Sequence, residues 1–271
     1  MKIDFHLHTR ASFDCESEPA AIVEWAVKKG LEGMFVTEHD NTNGYIELKR
    51  EADQQNLIVL PGLEFTAARG THYLVYLTPE LPLPQDDLAM IMEIHRRGGL
   101  VGLPHPYRSD TGLMYNQNIK NLYVENEVKQ ILAGLDFIEV FNAKSTTLQN
   151  QQAQKLAGQY PHLKQIAGSD SHFPSTVGAA HTEIVGFNFD TLANCASQLK
   201  KSQFKIHILP ELEKTAAISG FQSATEGVRR LLVKFKPMVP DIIWRAGKSI
   251  YRTGSNRIKE KQASKSIVGR D

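Results

Sequence analysis

Short apolar runs alternate along the chain with longer stretches of mixed polarity. Residues 2–8, 33–38, 57–63, 71–77, 100–103, 137–141 and 165–167 are of strand length and dominated by Ile, Val, Leu, Phe and Tyr. Residues 19–29, 45–55, 86–97, 124–133 and 147–160 read as helices. Pro19 stands in the first turn of the first helix with Gly30 behind it, and Gly98-Gly99 ends the third. This rhythm predicts βα units around a mostly parallel sheet, an α/β fold. Roughly seven units point to closure into a barrel, although rhythm alone also admits an open sheet. Beyond Ser171 the pattern loosens into a strand at 182–187, a helix at 191–200 and a last strand at 204–209.

Length agrees with this reading, since 271 residues is near the size of a single (β/α) barrel and enough to bury a full core. A domain at 1–210 followed by an extension at 211–271 is therefore expected. The charge divides similarly: residues 1–220 carry 19 Lys/Arg against 26 Asp/Glu, while residues 221–271 carry 12 against 4. The barrel is thus net acidic, which disfavours a long polyanion groove on it. The basic segment mixes Leu, Val, Ile and Trp with Arg and Lys, and Pro237 and Pro240 divide it into two amphipathic stretches. These pack partly on the barrel, or they meet an anionic partner, either nucleic acid or a membrane surface. No run of 18 apolar residues exists to span a membrane. The opening MKIDFHLH puts histidines where a signal peptide needs apolar residues. Cys15 and Cys195 have no metal-ligand spacing, so a reducing, cytoplasmic setting is expected.

The predicted strand ends are unusual. His6 and His8 close the first strand two residues apart and therefore share a face. Asp14 lies in the loop that follows. His39 comes after the second strand, Glu64 ends the third, His105 follows the fifth, and Asp170 and His172 follow the seventh. His72 opens its strand instead of ending it, and joins the others if that strand runs antiparallel to its neighbours. Strand C-terminal ends converge on one face of a barrel. Nine His, Asp and Glu side chains gathered there would repel or lie desolvated without a cation, which makes them candidate metal ligands.

In order, the motifs Asp4-x-His6-x-His8-Thr9, Thr37-x-His39-Asp40, Gly62-x-Glu64, His105-Pro106, Glu139-Val140-Phe141-Asn142 and Gly168-Ser169-Asp170-Ser171-His172 resemble the PHP (polymerase and histidinol phosphatase) family. The resemblance covers about residues 1–187 and implies a distorted (β/α)7 barrel holding three divalent metal ions, with Mn or Zn preferred and Fe also compatible. It implies a first ion on His6, His8, Glu64 and Asp170, a second on Asp14, His39 and His172, and a third on Glu64, His72 and His105. The implied activity is metal-dependent hydrolysis of a phosphomonoester, a nucleotide or another small phosphorylated metabolite, by a hydroxide bridging two ions. Nucleotide-phosphatase members often carry a long insertion between the glutamate and the histidine-proline motif. Only 40 residues separate Glu64 from His105 here, so that insertion is absent.

Around this set, Arg108 is a candidate catalytic donor to the substrate phosphate, with Lys144 as a second cation. Glu139, Asn142 and Asp40 are candidates for orienting ligands, and Gly62, Gly168 and Gly178 for tight strand-end turns. His95, His162 and His207 fall outside the motifs, and His181 is ambiguous. Two rival chemistries share parts of the pattern. A nuclease acting on nucleic-acid ends would use the same centre and the basic extension. An amidohydrolase-type hydrolase also begins with His-x-His, but commonly bridges its metals with a carbamylated lysine where this chain has Glu64.

Overall fold

In the computed structural model, which describes residues 1–187 and 191–209, every predicted strand and helix is present within three residues of its expected bounds. The order is β1 (Lys2–Leu7), α1 (Pro19–Lys28), β2 (Gly33–Val36), α2 (Gly44–Asp53), β3 (Ile58–Thr66), β4 (His72–Tyr76), α3 (Asp87–Arg96), β5 (Leu100–Leu103), α4 (Leu113–Asn118), α5 (Glu125–Gly134), β6 (Phe137–Asn142), α6 (Thr147–Ala157), β7 (Lys164–Gly168), β8 (Ala180–Val185), α7 (Leu192–Lys201) and β9 (Gln203–Ile208). Local chemistry fixes several ends. The Asp86 carboxylate caps α3 by accepting from Ala89 N, and Thr146 with Gln149 forms a capping box on α6. The short α4 went unread because LMYNQN carries no apolar period. The extension expected at 211–271 lies outside the described residues.

The nine strands form one sheet in the order β7-β6-β5-β4-β3-β2-β1-β8-β9. β1, β2 and β3 are mutually parallel, as are β5, β6 and β7, while β4 is antiparallel to both of its neighbours. β8 runs antiparallel to β1, and β9 to β8. The ends of the sheet curl together. A parallel bridge joins Leu7 to Ser171, and the Thr182 hydroxyl accepts from Ala167 N at 2.9 Å, standing in for a ladder bond across the seam. The result is a nearly closed, distorted barrel.

Side chains from eight strands meet in one cluster that includes Phe5, Phe35, Leu60, Tyr76, Phe137, Ile166 and Ile184. Only the inside of a barrel lets that many strands share a contact. Phe5 is its hub, with the Phe35 ring centroid 5.1 Å away and Tyr76 edge-on at 5.7 Å. Truncating such a buried phenylalanine costs about 3–5 kcal/mol. Two further apolar clusters seat α1 and α2, and α3, α5 and α6, on the outside of the sheet. The packed interior leaves the polar strand ends to gather at the rim. Among the described residues no helix is long and apolar enough to cross a membrane.

Candidate metal centre

The antiparallel turn of β4 settles the placement of His72. Its first residue pairs with Thr66, the last residue of β3, so His72 opens onto the face where β3 delivers Glu64. Glu64 sits at the centre of the resulting cluster. Its Oε1 lies 2.7 Å from His72 Nδ1 and 2.9 Å from His105 Nε2. Its Oε2 lies 3.1 Å from His39 Nδ1, 3.3 Å from His8 Nε2 and 3.4 Å from His6 Nε2. Asp170 Oδ1 stands 3.5 Å from His8 Nε2 and 3.8 Å from His6 Nε2. Asp14 Oδ2 stands 2.8 Å from His172 Nε2 and 3.5 Å from His39 Nε2. The fold therefore brings all nine sequence-selected candidates into one site.

These separations have the scale of a coordination sphere. Two ligands at about 2.1 Å from one ion, at 90–109°, are about 3.0–3.4 Å apart. His6 Nε2, His8 Nε2 and Glu64 Oε2 are buried and have no hydrogen-bond partner of good geometry. Desolvated lone pairs aimed at a common point are costly unless a cation fills it. The remaining ring nitrogens of three histidines are already engaged. His6 Nδ1 meets Glu139 Oε1 at 3.1 Å, His8 Nδ1 meets Ser12 Oγ at 3.1 Å, and His172 Nδ1 meets the Asp170 carbonyl at 3.0 Å. Such outer hydrogen bonds orient an imidazole and leave Nε2 for a metal. The residues present fit divalent cations, and the mixed imidazole and carboxylate set suits Mn, Fe or Zn.

Electrostatics agree. Burial opposes ionisation of Glu64, yet His72, His39 and His6 hold its carboxyl well below the usual range. Burial likewise opposes ionisation of Asp170, but Lys144, Arg108 and His6 keep it far below normal. His172 is pushed down to about 3, chiefly by burial against the pull of Asp14. Burial, reinforced by Arg108, holds His105 well below the imidazole range. His6 goes the other way: burial disfavours its charge, but Asp170, Glu139 and Glu64 raise it well above 6.5. Buried carboxylates here demand positive charge, which protons or cations can supply, and cation binding would release those protons.

Further residues hold the candidate ligands. Glu139 Oε2 accepts from His105 N at 2.8 Å and from Asn142 Nδ2 at 2.9 Å, so one carboxylate braces β1, β5 and β6. Asp4, missed as a functional position, accepts from Ser169 N and Gly178 N, both at 2.9 Å, and from His6 N at 3.2 Å. It locks β1 onto the loops on either side of Asp170 and His172, and burial pushes its carboxyl up to about 6. A carboxylate between Ile3 and Phe5, two residues before His6, was the available signal. Glu38 and Ser12 were also missed. Burial raises the Glu38 carboxyl against the pull of His8, Ser12 and Thr9. His72 is steadied through its neighbour, because the Thr71 hydroxyl contacts Asn116 at 3.0 Å and Tyr123 at 2.8 Å.

Arg108 Nη1 lies 2.5 Å from Asp170 Oδ2 and Nη2 lies 2.7 Å from Asn142 Oδ1, at the edge of the cluster. Lys144 Nζ stands 3.4 Å from Asp170 Oδ1 and 3.2 Å from His172 Nδ1. Three expectations need correction. Asp40 does not orient the His39 ring; it accepts from Thr66 N at 2.7 Å and Thr66 Oγ1 at 2.8 Å, pinning the loop after β2 to the end of β3. Gly62 and Gly168 are needed for close approach and not for turns: Gly62 lies inside β3 opposite Tyr76, where a Cβ would lie 2.9 Å from the Val36 carbonyl oxygen, and a Cβ on Gly168 would lie 2.4 Å from His6 Cβ. His95 pairs with Asp136 and His162 with a carbonyl, while His181 stacks on His207 on the β8–β9 ladder.

The PHP domain family matches residues 4–192, more than half of the chain, and the protein belongs to that family. The uncharacterized protein MJ1587 of Methanocaldococcus jannaschii is 30% identical over 153 residues, 53% of this chain and 82% of that protein. A two-domain protein of Bacteroides vulgatus containing a predicted PHP-like metal-dependent phosphoesterase superposes with a TM-score of 0.57 at 19% identity. That match covers 77% of this chain and 64% of the other, so this chain spans less than two thirds of that protein. The lesion-specific endonuclease EndoQ of Pyrococcus furiosus gives a TM-score of 0.53 at 15% identity, over 75% of this chain and 57% of its own.

Proposed function

We propose that the nine clustered residues hold three divalent cations, Mn or Zn, and that the protein hydrolyses a small phosphomonoester. The observation that carries the proposal is Glu64, whose two oxygens face two different groups of histidines, as a bridging ligand must. In this reading His6, His8, Glu64 and Asp170 hold one ion, Asp14, His39 and His172 a second, and Glu64, His72 and His105 a third. Bound there, the cations would supply Lewis acidity and lower the pKa of a water to near neutrality. Arg108 and Lys144 then act on the substrate. Both lie along Asp170 at the cluster's edge, where they can turn to non-bridging phosphate oxygens, Arg108 through two parallel N–H donors. Glu139 and Asn142 hold the ligand-bearing backbone still while the phosphate changes geometry.

The barrel spans residues 1–210 in this proposal, with the basic extension at 211–271 beyond it. The setting is cytoplasmic, consistent with Cys15 and Cys195 being free and buried. Purified protein, loaded in turn with Mn and Zn, should release inorganic phosphate from members of a phosphomonoester panel and lose that activity on chelation. A second reading, cleavage at nucleic-acid ends, is favoured by the 12 Lys/Arg against 4 Asp/Glu of residues 221–271. Oligonucleotides shortened under conditions where no monoester is hydrolysed would replace the first reading by the second. Metal-loaded protein inactive on both, with all nine ligands intact, would sink the two together.

A further inference from the structure

One hydroxyl beneath the cluster has a complete and directional set of partners. Ser12 is fully buried. A serine hydroxyl has one hydrogen to give and two lone pairs to receive with. Its Oγ contacts Glu38 Oε2, His39 N at 3.1 Å and His8 Nδ1 at 3.1 Å. The backbone N–H of His39 can only donate. Glu38 is an acceptor, because its carboxylate already receives Thr9 N at 3.1 and 3.2 Å and the Thr9 hydroxyl. The single Ser12 hydrogen therefore goes to Glu38, and the remaining lone pair must meet a hydrogen on His8 Nδ1. That leaves the His8 Nε2 lone pair facing Glu64 and Asp170.

The surroundings keep this chain of bonds in one direction. The first residue of α2, Gly44, closes over the carboxylate: a Cβ there would lie 2.0 Å from Glu38 Oε1 and 2.6 Å from Thr9 Oγ1. Only a bare backbone fits, and a helix N-terminus favours the ionised carboxylate beside it. The Thr9 hydroxyl is itself oriented, since it accepts from Ala11 N at 3.1 Å and so turns its hydrogen to Glu38. Every hydrogen in the Glu38–Ser12–His8 line is accounted for.

We propose that Ser12 and Glu38 are positioning residues that fix His8 as the Nδ1-protonated tautomer and, through the same hydroxyl, tie the backbone of His39 to it. The proposal rests on the metal-binding reading above. His8 belongs to the first ion's ligands in that reading and His39 to the second's, so one buried hydroxyl couples two sites. Glu38→Gln preserves size but must present an N–H to one of the two hydroxyls. When that is Ser12, the Ser12 hydrogen is turned onto His8 Nδ1, and Nε2 then carries the proton that blocks coordination. Ser12→Ala removes the relay outright without touching a ligand side chain.

The test uses the full chain with zinc as probe. Nitrogen-15 NMR of the zinc-loaded wild type should show His8 protonated at Nδ1 and coordinated through Nε2. Competition with a chromophoric chelator should show zinc affinity 10–100-fold weaker in Ser12→Ala and Glu38→Gln, the range for lost outer-shell partners. The loss should fall on two ions, not one, and should persist when affinities are measured well below each variant's metal-free melting temperature. Coordination of His8 through Nδ1, or wild-type zinc affinity in both variants, would overturn the proposal. A variant that does not fold leaves the wild-type tautomer measurement to decide. Wild type that binds no zinc or manganese would instead overturn the metal reading on which the proposal stands.

Discussion

Replacing Glu64 by glutamine tests the centre most directly, because nothing but one oxygen changes. The two carboxylate oxygens divide the histidines: Oε1 faces His72 and His105, and Oε2 faces His39, His8 and His6. A glutamine must put its NH2 toward one of these groups, where it cannot coordinate, and it loses the negative charge toward both. At an effective dielectric near 20, a unit charge about 4 Å from one opposite charge contributes about 4 kcal/mol. Each 1.4 kcal/mol is about tenfold in affinity, so retention of the cations that Glu64 touches should weaken about 10³-fold or more. Arg108→Ala, by comparison, removes a donor to the substrate and leaves the ligands in place. It should cost about 10²–10³ in kcat with metal content unchanged. Elemental analysis after gel filtration, run beside phosphate release, separates the two patterns. If Glu64→Gln keeps the wild-type ion content and turns over within about tenfold of wild type, the bridging role is wrong.

Three other outcomes follow from the same structure. Chelation should lower the melting temperature, since each ion at 100 times its Kd stabilises by about 2.7 kcal/mol, or very roughly 5–10 °C for a domain of this size; an unchanged melting curve on verified metal removal would contradict the site. Gly168→Ala should destabilise by about 1–3 kcal/mol or more and reduce metal content, because the new methyl meets the Cβ of His6; equal stability by urea titration would show that β1 can give way. Asp136 is opposed by burial, but His95, Val101 N and Lys200 pull its carboxyl below the ordinary value. Its folded pKa lies below its unfolded one, so its contribution is present above about pH 4 and lost as acid is added. Asp136→Asn should therefore flatten the fall of stability with pH below about 4, and parallel curves for variant and wild type would deny Asp136 that role.

The sequence announces candidate ligands and conceals their supports, and the reason is physical. His6 and His8 are legible because imidazoles at the end of an apolar strand have no packing purpose, and Glu64 because a lone carboxylate after Gly62-Leu63 has none either. Most of the strands are legible because they are short apolar runs, several with Gly, Pro or Asp near their ends. What stays hidden depends on long-range closure. Nothing local says that the Thr182 hydroxyl replaces a ladder bond at the seam, or that β8 reverses direction to pair with β1.

Ser12 and Glu38 were invisible for a related reason. A serine in a loop reads as solvated, and a glutamate after a strand reads as one more acidic position. Their roles exist only once α2 is laid against them, with Gly44 admitting the carboxylate where any side chain would exclude it. Arg108 is a middle case, since its charge and its place three residues after His105 marked it, yet the structure shows it already spent on Asp170 and Asn142. An arginine held that way is aimed before substrate arrives. In the proposed reading, a cation on Asp170 would compete with this ion pair, and Arg108, already aimed at the same space, would turn to a phosphate oxygen.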